Sequence, residues 1–127
     1  MSTLKVNTVQ HNTSGFNNVV QFTDGAGTEN GTLCRAWVSF NGYGTVAIRD
    51  SFNVTSITDD ATGKYTMNFT NAMDDANYAC VGGSRYAQNG TSILSNFHDA
   101  ETTTSVKVYT VGSAYYDCER VDVAIFR

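Results

Sequence analysis

Lys64-Tyr65-Thr66-Met67-Asn68-Phe69-Thr70 alternates without a break: large apolar side chains at 65, 67 and 69, polar ones at 64, 66, 68 and 70. In an extended chain successive side chains point to opposite faces, so this run buries one face and wets the other. It predicts a half-buried β-strand. Working outward, Ala36, Val38 and Phe40 alternate with Trp37 and Ser39, and Asn41-Gly42-Tyr43-Gly44 then reads as a hairpin turn. Val46 and Ile48 share a face in the next strand, with Phe52 and Val54 beyond it, and Asp59-Asp60-Ala61-Thr62-Gly63 reads as a second turn. Asn71 to Asn77 breaks the pattern and predicts one helical turn at most. Tyr78–Val81, ending at Gly82-Gly83, is a further strand, as are Ser92–His98 and Thr104–Val111. At the end of the chain Val121, Val123 and Ile125 occupy one face, Ala124 and Phe126 the other. Seven or eight short strands separated by turns predict an antiparallel β-sandwich, jelly-roll-like, over residues 34–127.

Composition points the same way. Among 127 residues, Val, Ile, Thr, Phe, Tyr and Trp supply 49, whereas Leu, Glu, Lys, Gln and Met supply 15. The first group packs on pleated sheets and the second builds helices, so the fold class is all-β. A helical bundle and an α/β nucleotide-binding fold are excluded. Residues 1–33 differ from the rest. Leu4, Val6, Val9, Phe16, Val19, Val20 and Phe22 are spread among polar residues, too thinly to make a core alone. The turn-rich run Asp24–Thr32 reads as a linker. The expectation is an extended N-terminal arm whose apolar residues serve anchoring or trimerisation, each copy covering what another leaves exposed.

The charge balance narrows the partners. Eight basic residues against twelve acidic give a net charge of −4, and no two of the basic residues are adjacent. A phosphate backbone needs clustered Lys and Arg, so nucleic acid is not an expected partner. No stretch approaches the roughly 20 apolar residues that cross a bilayer, and Met1–Asn7 lacks the apolar region of a secretory signal. These readings predict synthesis in a cytosol and no membrane insertion.

Catalytic equipment is sparse. The only histidines are His11 and His98, and His98-Asp99 has no nucleophile elbow near it. Asp59-Asp60 and Asp74-Asp75 are adjacent carboxylates in predicted turns, where side chains diverge instead of facing each other across a substrate. No glycine is followed by the Lys-Ser/Thr of a phosphate loop. Cys34, Cys80 and Cys118 stand roughly 40 residues apart, without the clustering a metal site needs; they read as free thiols. No enzyme activity, cofactor or metal is expected. Binding chemistry is better represented: Tyr86 with Asn89, and Tyr115-Tyr116 with Asp117, fall in predicted loops. Tyrosine there offers a flat face to a sugar ring, and Asn or Asp offers fixed polar partners to its hydroxyls. The same tyrosines also serve to close the end of a sandwich. Trp37, out of phase with Val38, reads as core or subunit contact.

Several stretches carry a resemblance. Arg35-Ala36-Trp37-Val38-Ser39-Phe40-Asn41-Gly42, then Thr45–Arg49 and Ser51–Val54, resemble the C-terminal domain of bacteriophage tail-fibre and related virion structural proteins, common among phages of cyanobacteria and other aquatic bacteria. Tyr65–Thr70, Ala72-Met73 with Asp75-Ala76-Asn77-Tyr78, and the ending Val121–Phe126 are similar to the same family. The resemblance spans roughly residues 35–127; Asp74 stands where the family pattern has proline. It implies a virion component made in the host cytoplasm, a short homotrimeric tail fibre docked on other virion proteins through its arm and touching a host-surface glycan with its tip loops. The alternative it allows is a capsid decoration or head-fibre protein without a receptor. It transfers no receptor-contact residue to this chain.

Overall fold

The computed structural model describes residues 19–24, 27–86, 92–93 and 95–127. The chain divides into two compact units, Met1–Thr32 and Leu33–Arg127. In the first, β1 (Val19–Asp24) and β2 (Gly27–Thr32) pair antiparallel, with Asp24 opposite Gly27 and Val19 opposite Thr32. The run read as a linker is therefore largely a strand. Its Gly, Glu and Asn residues are poor strand formers on their own, and the backbone partner supplied by β1 overrides that preference.

The second unit is all-β, and its described residues contain no helix. The strands are β3 (Cys34–Asn41), β4 (Ala47–Phe52), β5 (Val54–Ala61), β6 (Lys64–Phe69), β7 (Ala79–Arg85), β8 (Ser92–Ile93), β9 (Ser95–Asp99), β10 (Ser105–Val111) and β11 (Arg120–Phe126). They form two antiparallel sheets, ordered β5-β6-β10-β9 and β4-β3-β11-β7-β8. Both contribute to one core. Tyr65, Met67 and Phe69 of β6, with Val106 and Val108 of β10, meet Ala36, Val38 and Phe40 of β3 and Val121, Val123 and Ile125 of β11. The Phe40 and Tyr65 rings touch edge to face across the two sheets, 5.1 Å between centroids, an arrangement the ring quadrupoles favour.

Two local readings change and a third is narrowed. Asp59 and Asp60 lie within β5, leaving Thr62-Gly63 as the turn, because Asp60 accepts a hydrogen bond from the Thr66 hydroxyl at 2.6 Å across the ladder. Strand β7 runs through Gly82-Gly83 instead of stopping there, since β11 pairs with it on one side along its whole length. Segment 71–78 makes no helical turn; Met73 N–H donates to Thr103 O and the Tyr78 hydroxyl meets the carbonyls of Thr102 and Ser105, so neighbouring loops take the bonds a helix would have used.

The crossing from one sheet to the other falls at Asn53, between β4 and β5. It adopts φ +56°, a left-handed conformation that Asn tolerates better than most residues. Its side-chain amide donates to Arg35 O and Asn71 O, and its carbonyl oxygen accepts from Asn71 N–H.

Candidate functional site

Two regions of the second unit carry the candidate chemistry. The first is the end at which Tyr86, Tyr115, Tyr116 and Asp117 gather. Gly63 has φ +63°, and a side chain there would run into Tyr116 N and Thr110 O; the tight turn brings its N–H within 2.7 Å of Asp117 Oδ1. The Tyr65 hydroxyl shares its one proton between that oxygen, at 3.1 Å, and Gly42 O, at 3.0 Å. Gly42 N–H in turn donates to Cys118 O, and any Cβ on Gly42 would overlap the Tyr65 hydroxyl. Asp117, expected to offer its carboxylate to a ligand, thus spends Oδ1 on holding the turn after β5 to the segment before β11. Burial and the Asp117 charge push the Tyr65 phenol well above its ordinary range.

Tyr86 follows β7, and its ring lies 5.2 Å from that of Tyr116. Both are half-buried against the core, and the Tyr116 hydroxyl meets Ser113 Oγ at 2.9 Å. Tyr115 is different: it is 46% exposed, and Lys64 Nζ stands 4.4 Å from its ring centroid, a cation–π contact. Tyr109 flanks it at 6.1 Å. Of the residues assigned to binding from sequence, the structure brings Tyr86, Tyr116 and Asp117 into the closure of this end and leaves Tyr115 facing outward. Lys64 was not singled out, because its position relative to Tyr115 depends on the isolated bridge between Val111 and Tyr115. Asn89, Leu4, Val6, Val9 and Phe16 lie outside the described residues, whereas Val19, Val20 and Phe22 belong to β1.

The second region is the outer face of the five-stranded sheet. The register aligns Phe52, Trp37, Ala124 and Val81 in one row across β4, β3, β11 and β7. Phe52 is 54% exposed, Val81 51% and Trp37 36%. Trp37 is therefore not core. Beside it lies a hollow of about 460 Å³, walled by Trp37 and Val81, floored by Ala124, Gly82 and Gly83, and edged by Arg120 and Asp122. Those two side chains pair at 3.0 Å. Ser39 Oγ, on the wall, is buried and makes no hydrogen bond among the described residues. Periodicity gives Trp37 its face but not its neighbours; these follow from the strand order.

Cys34, Cys80 and Cys118 are free thiols. Burial, reinforced by the Glu101 charge, raises Cys80 to about 11. No cluster of three or more His, Cys, Asp or Glu side chains suited to a metal ion occurs among the described residues, and they contain no helix long and apolar enough to cross a membrane. Comparison of the chain with protein-family models, curated proteins and solved structures returned no match.

Proposed function

We propose that this chain is a bacteriophage virion structural protein: a short homotrimeric tail fibre, made in the host cytoplasm, whose N-terminal unit acts as an arm anchoring it to other virion proteins. In this reading the C-terminal unit is a jelly-roll-like β-sandwich that binds a host-surface glycan and performs no catalysis. The family resemblance of residues 35–127 supports the class. The observation that carries the binding role is Tyr115, a half-exposed aromatic ring at one end of the unit with the Lys64 ammonium over one of its faces. A sugar stacks its C–H face on such a ring while its hydroxyls take up the ammonium.

The test is binding of purified protein to host cells or lipopolysaccharide. Tyr115→Ala abolishes binding with the fold intact, whereas Tyr86→Ala and Tyr116→Ala weaken both together, because those rings also close the core. Wild-type protein that ignores host cells and binds only shells or tail tubes sinks the receptor role. That outcome would favour the second reading, a capsid decoration or head-fibre protein. The exposed apolar row Phe52–Trp37–Val81 favours it, since such a surface suits a protein neighbour better than a sugar.

A further inference from the structure

Among the described residues of the second unit, two cations have no oxygen partner. Arg35, Arg85, Arg120 and Arg127 each face a carboxylate, and Arg49 donates to Glu119 O. Lys64 meets only the Tyr115 ring, and Lys107 makes no hydrogen bond or ion pair. Both lysines project from one surface. Tyr65 and Met67 of β6, with Val106 and Val108 of β10, point into the core, so Lys64, Lys107 and Tyr109 at the alternate positions point outward from the four-stranded sheet. The register sets Lys64 opposite Tyr109 and Lys107 opposite Thr66; the two lysines are thus diagonal neighbours, about 7 Å apart. Tyr115 is bridged to Val111 and continues the line past Tyr109, whose ring lies 6.1 Å from its own. From Lys107 to Val111 the strip runs about 13 Å along β10. We propose that this strip binds an anionic saccharide, its sugar rings on the tyrosines and its carboxylate or phosphate groups on the Lys64 and Lys107 ammonium groups. The inference rests on the glycan-binding reading above and adds to it the ligand's charge and its path over the sheet.

The charge pattern favours an anion over a neutral sugar. The chain has a net charge of −4, yet the central strands β6 and β10 present outward two ammonium groups and no carboxylate. The acids of this sheet lie on its outer strands and are already engaged. Asp60 of β5 accepts from the Thr66 hydroxyl at 2.6 Å. Asp99 of β9, across the ladder from Lys107, turns Oδ1 to Ala100 N–H at 2.7 Å. Flanking carboxylates repel an anion from either side and confine it to the strand direction. The surroundings favour a saccharide over an acidic protein segment. Around the lysines this face carries Thr58, Thr66, Asn68 and Ser105, and Tyr115 is the exposed large apolar side chain of this sheet and its adjoining loop among the described residues. A protein interface is built around an apolar centre, which this face lacks.

The experiment measures binding of the full chain to host lipopolysaccharide in four forms: intact, carboxyl-reduced to alcohols, dephosphorylated with hydrogen fluoride, and treated both ways. Circular dichroism confirms that each variant is folded. Wild type is expected to bind the intact form most tightly and to weaken as salt rises from about 0.05 to about 0.5 M. It is expected to lose about tenfold in affinity on the treatment that removes the anion it uses, which separates carboxylate from phosphate. Lys107→Gln, which breaks no contact within the chain, is expected to weaken binding to the intact form and to leave binding to the doubly treated form unchanged. Tyr115→Ala is expected to abolish binding to all four. Equal affinity of wild type for all four forms would overturn the anionic class and leave the sugar-binding role of Tyr115 standing. A loss on treatment that Lys107→Gln does not alter would overturn the strip along β10. Attachment to purified virion proteins, and not to lipopolysaccharide, that weakens in Lys107→Gln would assign the lysines to a protein contact and overturn the saccharide. Wild type that binds no form would remove the glycan-binding reading itself.

Discussion

Asn53 and Asp117 are polar side chains on which backbone geometry depends. Asn53 sits in the left-handed region and makes three hydrogen bonds that tie β3 and the segment after β6 to the crossing between sheets. Removing them while keeping a Cβ combines two losses, unmet backbone groups and residual strain. Asn53→Ala is therefore expected to cost about 2–3 kcal/mol in urea denaturation. Asn53→Gly should cost about 1 kcal/mol less, because glycine takes a positive φ freely; equal losses would mean that the strain is immaterial. Asp117 predicts a pH effect through Tyr65. The Tyr65 phenol is held above its ordinary value of 10.0 by burial, then by the Asp117 charge. The unfolded chain thus releases that proton first as pH rises past 10. Stability from this group is complete below pH 10 and falls steadily above it. An alkaline denaturation series should show that decline in wild type and a shallower one in Tyr65→Phe, with Tyr78 supplying part of the remainder. Burial and the Glu101 charge push Tyr78 up to about 12.

At the scale of elements, the readable strands were those whose alternation matches a face buried by the other sheet. Strands β3, β6 and β11 each show it in full, with buried residues at every second position. Strand β2 was not readable, because Gly27–Thr32 has no apolar alternation and owes its form to pairing with β1. Nor was the passage of β7 through Gly82-Gly83, where ladder bonds to β11 replace the packing that glycine lacks. The tyrosine end was half legible: loop position was readable, but which ring faces outward depends on where Gly63 turns. Trp37 was assigned to core or subunit contact, and its partners in the row appear only once four strands are set side by side. The same dependence on neighbours governs the last residue of β11's extension. Arg127 clamps Asp75 through two hydrogen bonds, the shorter 2.6 Å, and this pair lowers the Asp75 carboxyl below its ordinary value of 3.8, chiefly through the Arg127 hydrogen bond. A lowered carboxylate stabilises above its unfolded pKa and loses that contribution as pH falls through the folded one. Acid unfolding should consequently include a component below pH 4 that Arg127→Met reduces, the Asn77 backbone hydrogen bond to Asp75 keeping the rest, with neutral-pH stability only slightly lowered because the pair is half-exposed. An unchanged acid limb in the variant would show that Arg127 is not what holds the Asp75 carboxyl down.

The second unit carries a core of its own, with buried apolar side chains from Ala36 to Ile125. Its two sheets, with the Asn53 crossing and the Asp117 pin, contain the partners of each of those side chains. A single shared core of this kind unfolds cooperatively. Residues 33–127 alone are therefore expected to fold, with one urea transition whose midpoint lies within experimental error of the full chain. The same truncation separates two origins of self-association. If the second unit closes the proposed trimer, residues 33–127 remain trimeric. If the arm residues Leu4, Val6, Val9, Phe16, Val19, Val20 and Phe22 close it, the truncated protein sediments as a folded monomer. A midpoint that drops sharply on truncation would overturn the independence of residues 33–127 as a cooperative unit.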